Sequence, residues 1–328
     1  MTKKNILILI FVFALMVLAL APFIGSVKVP LSALSDFKQT TVESQVFYSL
    51  RLPRVLTAFL AGAALACCGV ALQAMFRNPL ATPFTLGISS GAAFGAAVYV
   101  LFAAILKMPF GSILFSFIGS LASVLLVYGF TKIKKGFSTG TMLLAGVAVN
   151  FFFSSLILFL QYISDFTQSF RVMRWLMGSI DVSGFQTPLI FLLFTIIGSI
   201  IIAAQNLNLN LMSISDEIAI ARGVDIQKSR KIIFFATSTM VAVVVAYCGP
   251  IGFVGLMAPH ICRLLIGHDH RFLIPASVIF GGSFLTLCDT FARTLIGPAE
   301  IPVGVITSLL GGPFFIWLLL RNSRTGNL

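Results

Sequence analysis

Apolar positions in this chain come in long continuous runs separated by short polar intervals, and ten such runs can be marked. They cover roughly 5–25, 54–75, 83–106, 112–131, 140–161, 187–204, 232–248, 252–266, 273–294 and 302–320. Each run predicts a membrane helix, because a bilayer core of ~30 Å needs about 20 apolar residues. Strands of a β-barrel would instead alternate over about 10 residues, and these runs do not alternate. The eighth run is shorter than a full crossing and contains Pro259, so it is expected to be tilted, broken or partly buried in protein.

The sixth and seventh runs are joined by a polar interval, QNLNLNLMSISDEIAIARGVDIQKSRK, residues 205–231. Ser215 is placed to cap a first turn carrying Asp216 and Glu217, where the helix dipole favours acids. Gly223 supplies a left-handed stop and Asp225 a cap for the next helix. The pattern predicts two short helices with a glycine hinge. Elsewhere, Gly87, Gly91 and Gly95 recur at every fourth position on one helical face, the usual mark of close helix contact, with a permeation-path lining as the alternative. Asn78-Pro79-Leu80 breaks the chain between the second and third runs, and 132–138 forms the loop between the fourth and fifth. RVMRWLMGS, within 162–186, reads as a short interfacial helix. Gly249-Pro250 and Gly297-Pro298 predict tight turns, and Gly311-Gly312-Pro313 a distortion of the last run.

Composition agrees with the pattern. The 328 residues are 58% apolar and 10% charged, with a mean hydropathy of +1.04. Ten spans use about 200 residues, which leaves loops and no room for a separate soluble domain. The chain, 1–328, is therefore expected to be one all-α integral membrane domain. A net charge of +12 raises the question of nucleic acid, but the basic residues sit in short clusters between apolar runs, with no basic stripe or aromatic platform. No nucleic-acid partner is expected.

Lys3 and Lys4 place the N-terminus in the cytoplasm, and an even number of spans returns the C-terminus to the same side. That arrangement puts 14 of the 22 basic residues inside and 8 outside, Lys28, Lys107, Lys134, Lys135, Arg321 and Arg324 included in the tally. The N-terminus resembles a signal peptide up to Ala19-Leu20-Ala21, but Pro22 and the many later spans favour an uncleaved first helix. The five cysteines match neither a zinc site nor a disulfide framework and read as small packing residues.

Candidate chemistry is sparse. There is no GxxxxGK[ST] phosphate loop, no HExxH and no GxSxG. His268 and His270 flank Asp269 in what reads as a solvated turn. Asp289 is the only acid inside a run, near its outer end, and Arg293 four residues on is its natural partner. A membrane protein with no midplane ion-coupling acid and no nucleotide site draws its energy from outside the chain. The 205–231 interval is then the place for a motor protein to act.

Six strings, in order, resemble one family. They are RLPR (51–54), GAALACCGVALQAMFRNPLATPFTLGISSGA (62–92), FSTGTMLLAGVAVN (137–150), ARGVD (221–225), GPIGFVGLMAPHICRLLIGHDHR (249–271) and EIPVGVITSLLGGPFFIWLLLR (300–321). Together they resemble the FecCD-type permease subunits of binding-protein-dependent ABC importers for iron–siderophores, haem and cobalamin. The resemblance implies a type II ABC importer permease with about ten transmembrane helices, in a bacterial cytoplasmic (inner) membrane. It implies a second permease subunit, identical or related, a cytoplasmic ABC ATPase dimer that uses ATP and Mg²⁺, an extracytoplasmic substrate-binding protein, and surrounding lipid. No cofactor, metal or catalytic residue is implied for the chain itself.

The resemblance makes 205–231 the coupling loop, with Ala219, Arg222, Gly223 and Val224 as ATPase contacts. It places Arg51, Arg54 and Arg293 where the binding protein's acids dock, although arginines at such positions also snorkel to lipid phosphate. Ser138 and Thr139 fall at the cytoplasmic gate, where helix capping is an equally good physical account. The implied cargo is an iron(III)–siderophore, with cobalamin or haem as alternatives. The rival of another class is an ion-coupled secondary transporter.

Overall fold

The computed structural model describes residues 2–25, 29–106, 108, 111–133, 138–296 and 300–325. The Gly297-Pro298 turn, Lys28, Lys107, Lys134 and Lys135 lie outside the described residues, as do the side chains of Arg321 and Arg324. Among the described residues there is no strand.

The helices are α1 (Lys3–Leu20), α2 (Val42–Gln45), α3 (Leu52–Phe76), α4 (Ile88–Leu106), α5 (Gly111–Ile133), α6 (Thr139–Ile163) and α7 (Phe166–Leu176). They continue with α8 (Gln186–Ala204), α9 (Asn206–Met212), α10 (Asp216–Ala221), α11 (Ile226–Cys248), α12 (Val254–Ile266), α13 (His270–Ala292) and α14 (Val303–Thr325). Among the described residues, seven helices are long and apolar enough to cross a membrane, and apolar stretches at Ile88–Ala103, Val254–Ile266 and Val303–Leu318 lie within α4, α12 and α14. All ten predicted runs are therefore helices.

Two expectations change in detail, and the short eighth run is as expected. The seventh begins at Ile226 rather than near 232, so the span continues straight into the polar interval. The eighth is only 13 residues, about 20 Å at 1.5 Å per residue; Phe253, left-handed at φ +67°, precedes it, and Pro259 lies inside it. The last helix runs through Pro313 without ending.

α3 is the centre of the bundle, packed by α8, α11, α12 and α13. Its small residues explain why. A Cβ on Gly69 would strike the Gly255 carbonyl of α12, and one on Gly62 would strike the Gly281 carbonyl of α13. Lipid offers no hydrophobic drive between helices, so backbones that approach this closely supply the packing themselves. α4 and α5 meet the same way, Gly91 over Gly119 and Gly95 over Phe115. Gly91 and Gly95 are thus contact residues, whereas Gly87 belongs to the turn before α4, with φ +78°. The five cysteines are free and buried. The outward faces of α1, α6 and α8 remain apolar (Phe11, Leu15, Phe151, Leu158, Ile196, Ile200), as a lipid-facing surface requires. α7 is the short polar-apolar helix expected around RVMRW, held by a capping box between Asp165 and Gln168.

Candidate functional site

Two ends of the bundle and one groove along its side carry the polar chemistry. At the 205–231 end, the local caps form as the residue types dictate. Ser215 Oγ accepts from the Ile218 amide at 3.1 Å, and Asp225 Oδ1 accepts from the Lys228 amide at 2.9 Å. Gly223 sits at φ +80°, and a Cβ there would meet nothing within 4 Å. Backbone conformation, not space, is what requires glycine. Gly223 separates the Ser215-capped α10 from the Asp225-capped α11 as expected, but the second helix is the start of a long span instead of a short one, and α9 is a further short helix ahead of Ser215.

The segment is tied down on every side. Asp216 pairs with Arg230 of α11 at 2.7 Å and Arg77 at the end of α3 at 3.3 Å. Asn208 donates to Ser229, and Asn210 donates to Asp269 while its oxygen accepts from the His270 amide. Glu217, fully exposed, is held below the usual carboxylate range by its own backbone amide and the Ser215 hydroxyl, with Arg77 adding to the effect. The GHDHR turn is a joint rather than a solvated loop. His270 is 3% exposed and bonds Asn210 at 2.7 Å, and Asp269 caps α13. The Arg271 guanidinium, with Asn210 helping, keeps the Asp269 carboxyl well below its ordinary range.

Of the four expected ATPase contacts, Arg222 and Gly223 face outward, Val224 is half-buried and Ala219 is fully buried. The Ala219 carbonyl accepts from the amides of Arg222 and Val224, so this residue closes α10 from inside. The outward apolar side chains are Leu207 of α9 and the isoleucines Ile214, Ile218 and Ile220, the last three at 63%, 42% and 63% exposure. Sequence reasoning passed over them, although three isoleucines in a polar interval were a readable signal.

At the opposite end, Arg51, Arg54 and Arg293 line one cavity of about 430 Å³ together with Glu300 and Asp181. Arg54 opens α3 and grips Asp289 of α13 through Nε and Nη2, at 3.1 and 2.9 Å. Its Nη1 reaches Glu300 at 2.6 Å. Asp289 is 1% exposed, and Arg54 is its principal partner; the expected Arg293 pair is only a 3.9 Å approach. Arg293 donates instead to the Ala21 carbonyl at 2.7 Å, and Arg51 to the Pro22 carbonyl at 3.2 Å. Both arginines are buried and finish the C-terminal end of α1, where orphan carbonyls and the helix dipole favour cations. These guanidiniums therefore reach protein groups, and only Arg54 keeps part of its surface open. Arg54 and Glu300 also line an adjoining cavity of about 530 Å³ that includes Arg174, Met173 and Met177.

Ser138 caps α6, accepting from the Thr141 amide at 3.2 Å and donating to its hydroxyl at 2.7 Å. Ser138 is exposed and Thr139 half-buried. Along the side of the bundle runs a groove of about 470 Å³ with Ser89, Ser90, Asn150, Ser154 and Gln161 in its wall. Ser90 donates to Asn150 Oδ1 at 2.8 Å, and Asn150 Nδ2 donates to the Phe84 carbonyl at 3.0 Å. Polar side chains at membrane depth are costly unless they serve one another or a water-filled path. Asn150 and Gln161, lone amides in an apolar run, were its sequence signal.

The sequence profile of the FecCD transport family matches residues 7–321. The chain belongs to the FecCD transport family. Among its FecCD relatives is the hemin transport system permease protein of Yersinia pestis, 39% identical over 84% of this chain and 83% of that one. The vitamin B12 import system permease protein of Vibrio vulnificus is 35% identical over 96% of this chain and 94% of its own. The molybdate import system permease protein of Haemophilus influenzae is 39% identical over 87% and 84%.

In three dimensions the FecCD chain superposes on a structure described as an inward-facing metal-chelate type ABC transporter, with TM-score 0.86 and 33% identity over 97% of this chain and 99% of that one. PsaBC from Streptococcus pneumoniae, at TM-score 0.59 and 18% identity over 87% and 93%, shares the fold. The chain is thus a multi-pass ABC importer permease with the type II fold.

Proposed function

We propose that this FecCD permease passes an intact iron(III)–siderophore across the bacterial cytoplasmic membrane, driven by an ATPase that docks on α9 and α10. The observation that carries the reading is the coupling segment: three outward isoleucines on α10 and the turn before it, anchored to α3, α11 and α13. A rigid segment with an apolar outer face transmits force instead of absorbing it. Ile214, Ile218, Ile220, Arg222 and Gly223 meet the ATPase, while Ala219 and Val224 hold the segment's shape. The whole chain acts as one domain, with both termini cytoplasmic, and ATP and Mg²⁺ are used by the partner alone. The chain binds no cofactor of its own.

A second permease subunit closes the groove at Asn150 into a path, and Ser138 and Thr139 stand at its cytoplasmic end. The binding protein docks at the opposite end, with an acidic residue taking Arg54 while Arg51 and Arg293 supply the positive field behind it. The relatives named for hemin, vitamin B12 and molybdate set the competing cargoes.

Proteoliposomes carrying the permease, its ATPase and its binding protein test the reading. ATP-dependent accumulation of the ferric chelate is expected, with haem, cobalamin and molybdate failing to compete. Uptake driven by an ion gradient without any ATPase would overturn the importer mechanism. Preference for a competing cargo would overturn the siderophore assignment alone.

A further inference from the structure

We propose that the coupling-loop end holds a binding pocket for a phosphate group, framed by Arg263, Arg77, His268 and Ser213. The cavity is about 220 Å³ and lies where the end of α3, the end of α12 and the segment after α9 converge. Two arginines and two histidines line it, and among the described residues no carboxylate does.

The positive charge is least compensated at Arg263. Its Nη2 donates to the neutral Gln73 amide oxygen at 2.8 Å, and no acid of the described residues pairs with it. The carboxylates nearby are committed elsewhere. Asp216 serves Arg77 and Arg230, and Asp269 serves Arg271 and Asn210. A half-buried guanidinium without an anion forgoes the interaction that best offsets its desolvation.

His270 is fixed by the protein itself. Asn210 donates through Nδ2 to Asp269, so its oxygen is the atom facing His270 Nδ1 at 2.7 Å. The imidazole therefore carries its proton on Nδ1, and Nε2 is left as an acceptor without a protein partner. A phosphate group matches the cavity: its oxygens are acceptors for both guanidiniums and for the Ser213 hydroxyl. A cavity of this volume seats such a group and does not seat a peptide segment. A phosphate group has two sources at the membrane edge, inorganic phosphate and a phospholipid headgroup. Bound there, it would link Arg77 and Arg263 to the stretch carrying Ser213 and stiffen the face that meets the ATPase.

The full-length permease in phosphorus-free maltoside micelles provides the first arm. The ³¹P line of inorganic phosphate should broaden saturably, and Arg263→Gln should weaken binding about tenfold or more, as loss of a charged hydrogen bond does. In the second arm, native mass spectrometry of protein extracted from phosphatidylglycerol bilayers detects retained lipid. Retention that Arg263→Gln abolishes, without phosphate broadening, assigns the pocket to the headgroup and supports the proposal. His268→Ala, at an exposed turn, should weaken binding severalfold and carries the test if Arg263→Gln does not fold. Phosphate broadening and lipid retention that are both absent, or both indifferent to these substitutions, would overturn it.

Discussion

Gly223 owes its identity to its backbone, because φ is +80° and the space around a Cβ is empty. Valine there costs roughly 1–2 kcal/mol in the left-handed region, paid locally in the turn between α10 and α11. Gly223→Val is therefore expected to insert and fold, yet to hydrolyse ATP with uptake reduced at least severalfold; unchanged uptake per ATP in proteoliposomes would remove the turn from the coupling path. At the other end, Glu300 already occupies the outer donor of Arg54. Glu300→Gln should tighten binding-protein docking several-fold at low salt, and Arg54→Gln should weaken it, both read by surface plasmon resonance. An effect of Arg54→Gln without one of Glu300→Gln would keep the docking role and discard the competition.

Asp36 shows how a loop is held by one carboxylate. It accepts from Ser44 Oγ first, and from the amides and hydroxyls of Thr41 and Thr40, which lower its pKa to about 2. A depressed folded-state pKa stabilises fully above the unfolded value near 3.9 and is lost as pH falls toward 2. Hydrogen-exchange protection factors across 36–45 should fall between pH 4 and about 2, and Asp36→Asn should show the lower protection already at neutral pH. These local devices were legible beforehand in the 205–231 interval: Ser215, Gly223 and Asp225 act as their residue types demand, because a cap involves neighbours three or four positions away.

Elements were legible as far as periodicity and punctuation reach. The ten runs are helices, and the shortness of α12 followed from its length and Pro259. The Asp225 cap marked the start of α11, but its continuity with the apolar run from 232 was hidden, because the first turns of the helix are polar. Helix contacts were half visible: glycine stripes announce close approach but not the partner. Gly69 meets α12 backbone, whereas nothing lies within 4 Å of a Cβ on Gly129. Gly69→Val should lower the melting temperature in detergent by several degrees or abolish expression, while Gly129→Val leaves it within about 1–2 °C. Equal effects at the two positions would mean that α3 is not packed backbone to backbone.

For the molecule as a whole, the groove at Asn150 and the clamp at Arg54 lie on opposite sides of what one chain can explain alone. The Ser90–Asn150–Phe84 bonds satisfy the groove internally, so Asn150→Leu should be tolerated in folding. Uptake should fall severalfold while basal ATP hydrolysis stays, measured in the reconstituted transporter; unchanged uptake would place the path elsewhere. The sequence by itself determined the class, the ten helices, the polar interval and its caps, since hydrophobic runs and capping depend on residues close along the chain. Only the tertiary structure decided which polar groups are partners. Arg54 finds Asp289 across 235 positions, Arg51 and Arg293 finish α1, and His270 is a buried joint. Charge satisfaction is a property of distance in space, and no spacing in the sequence encodes it.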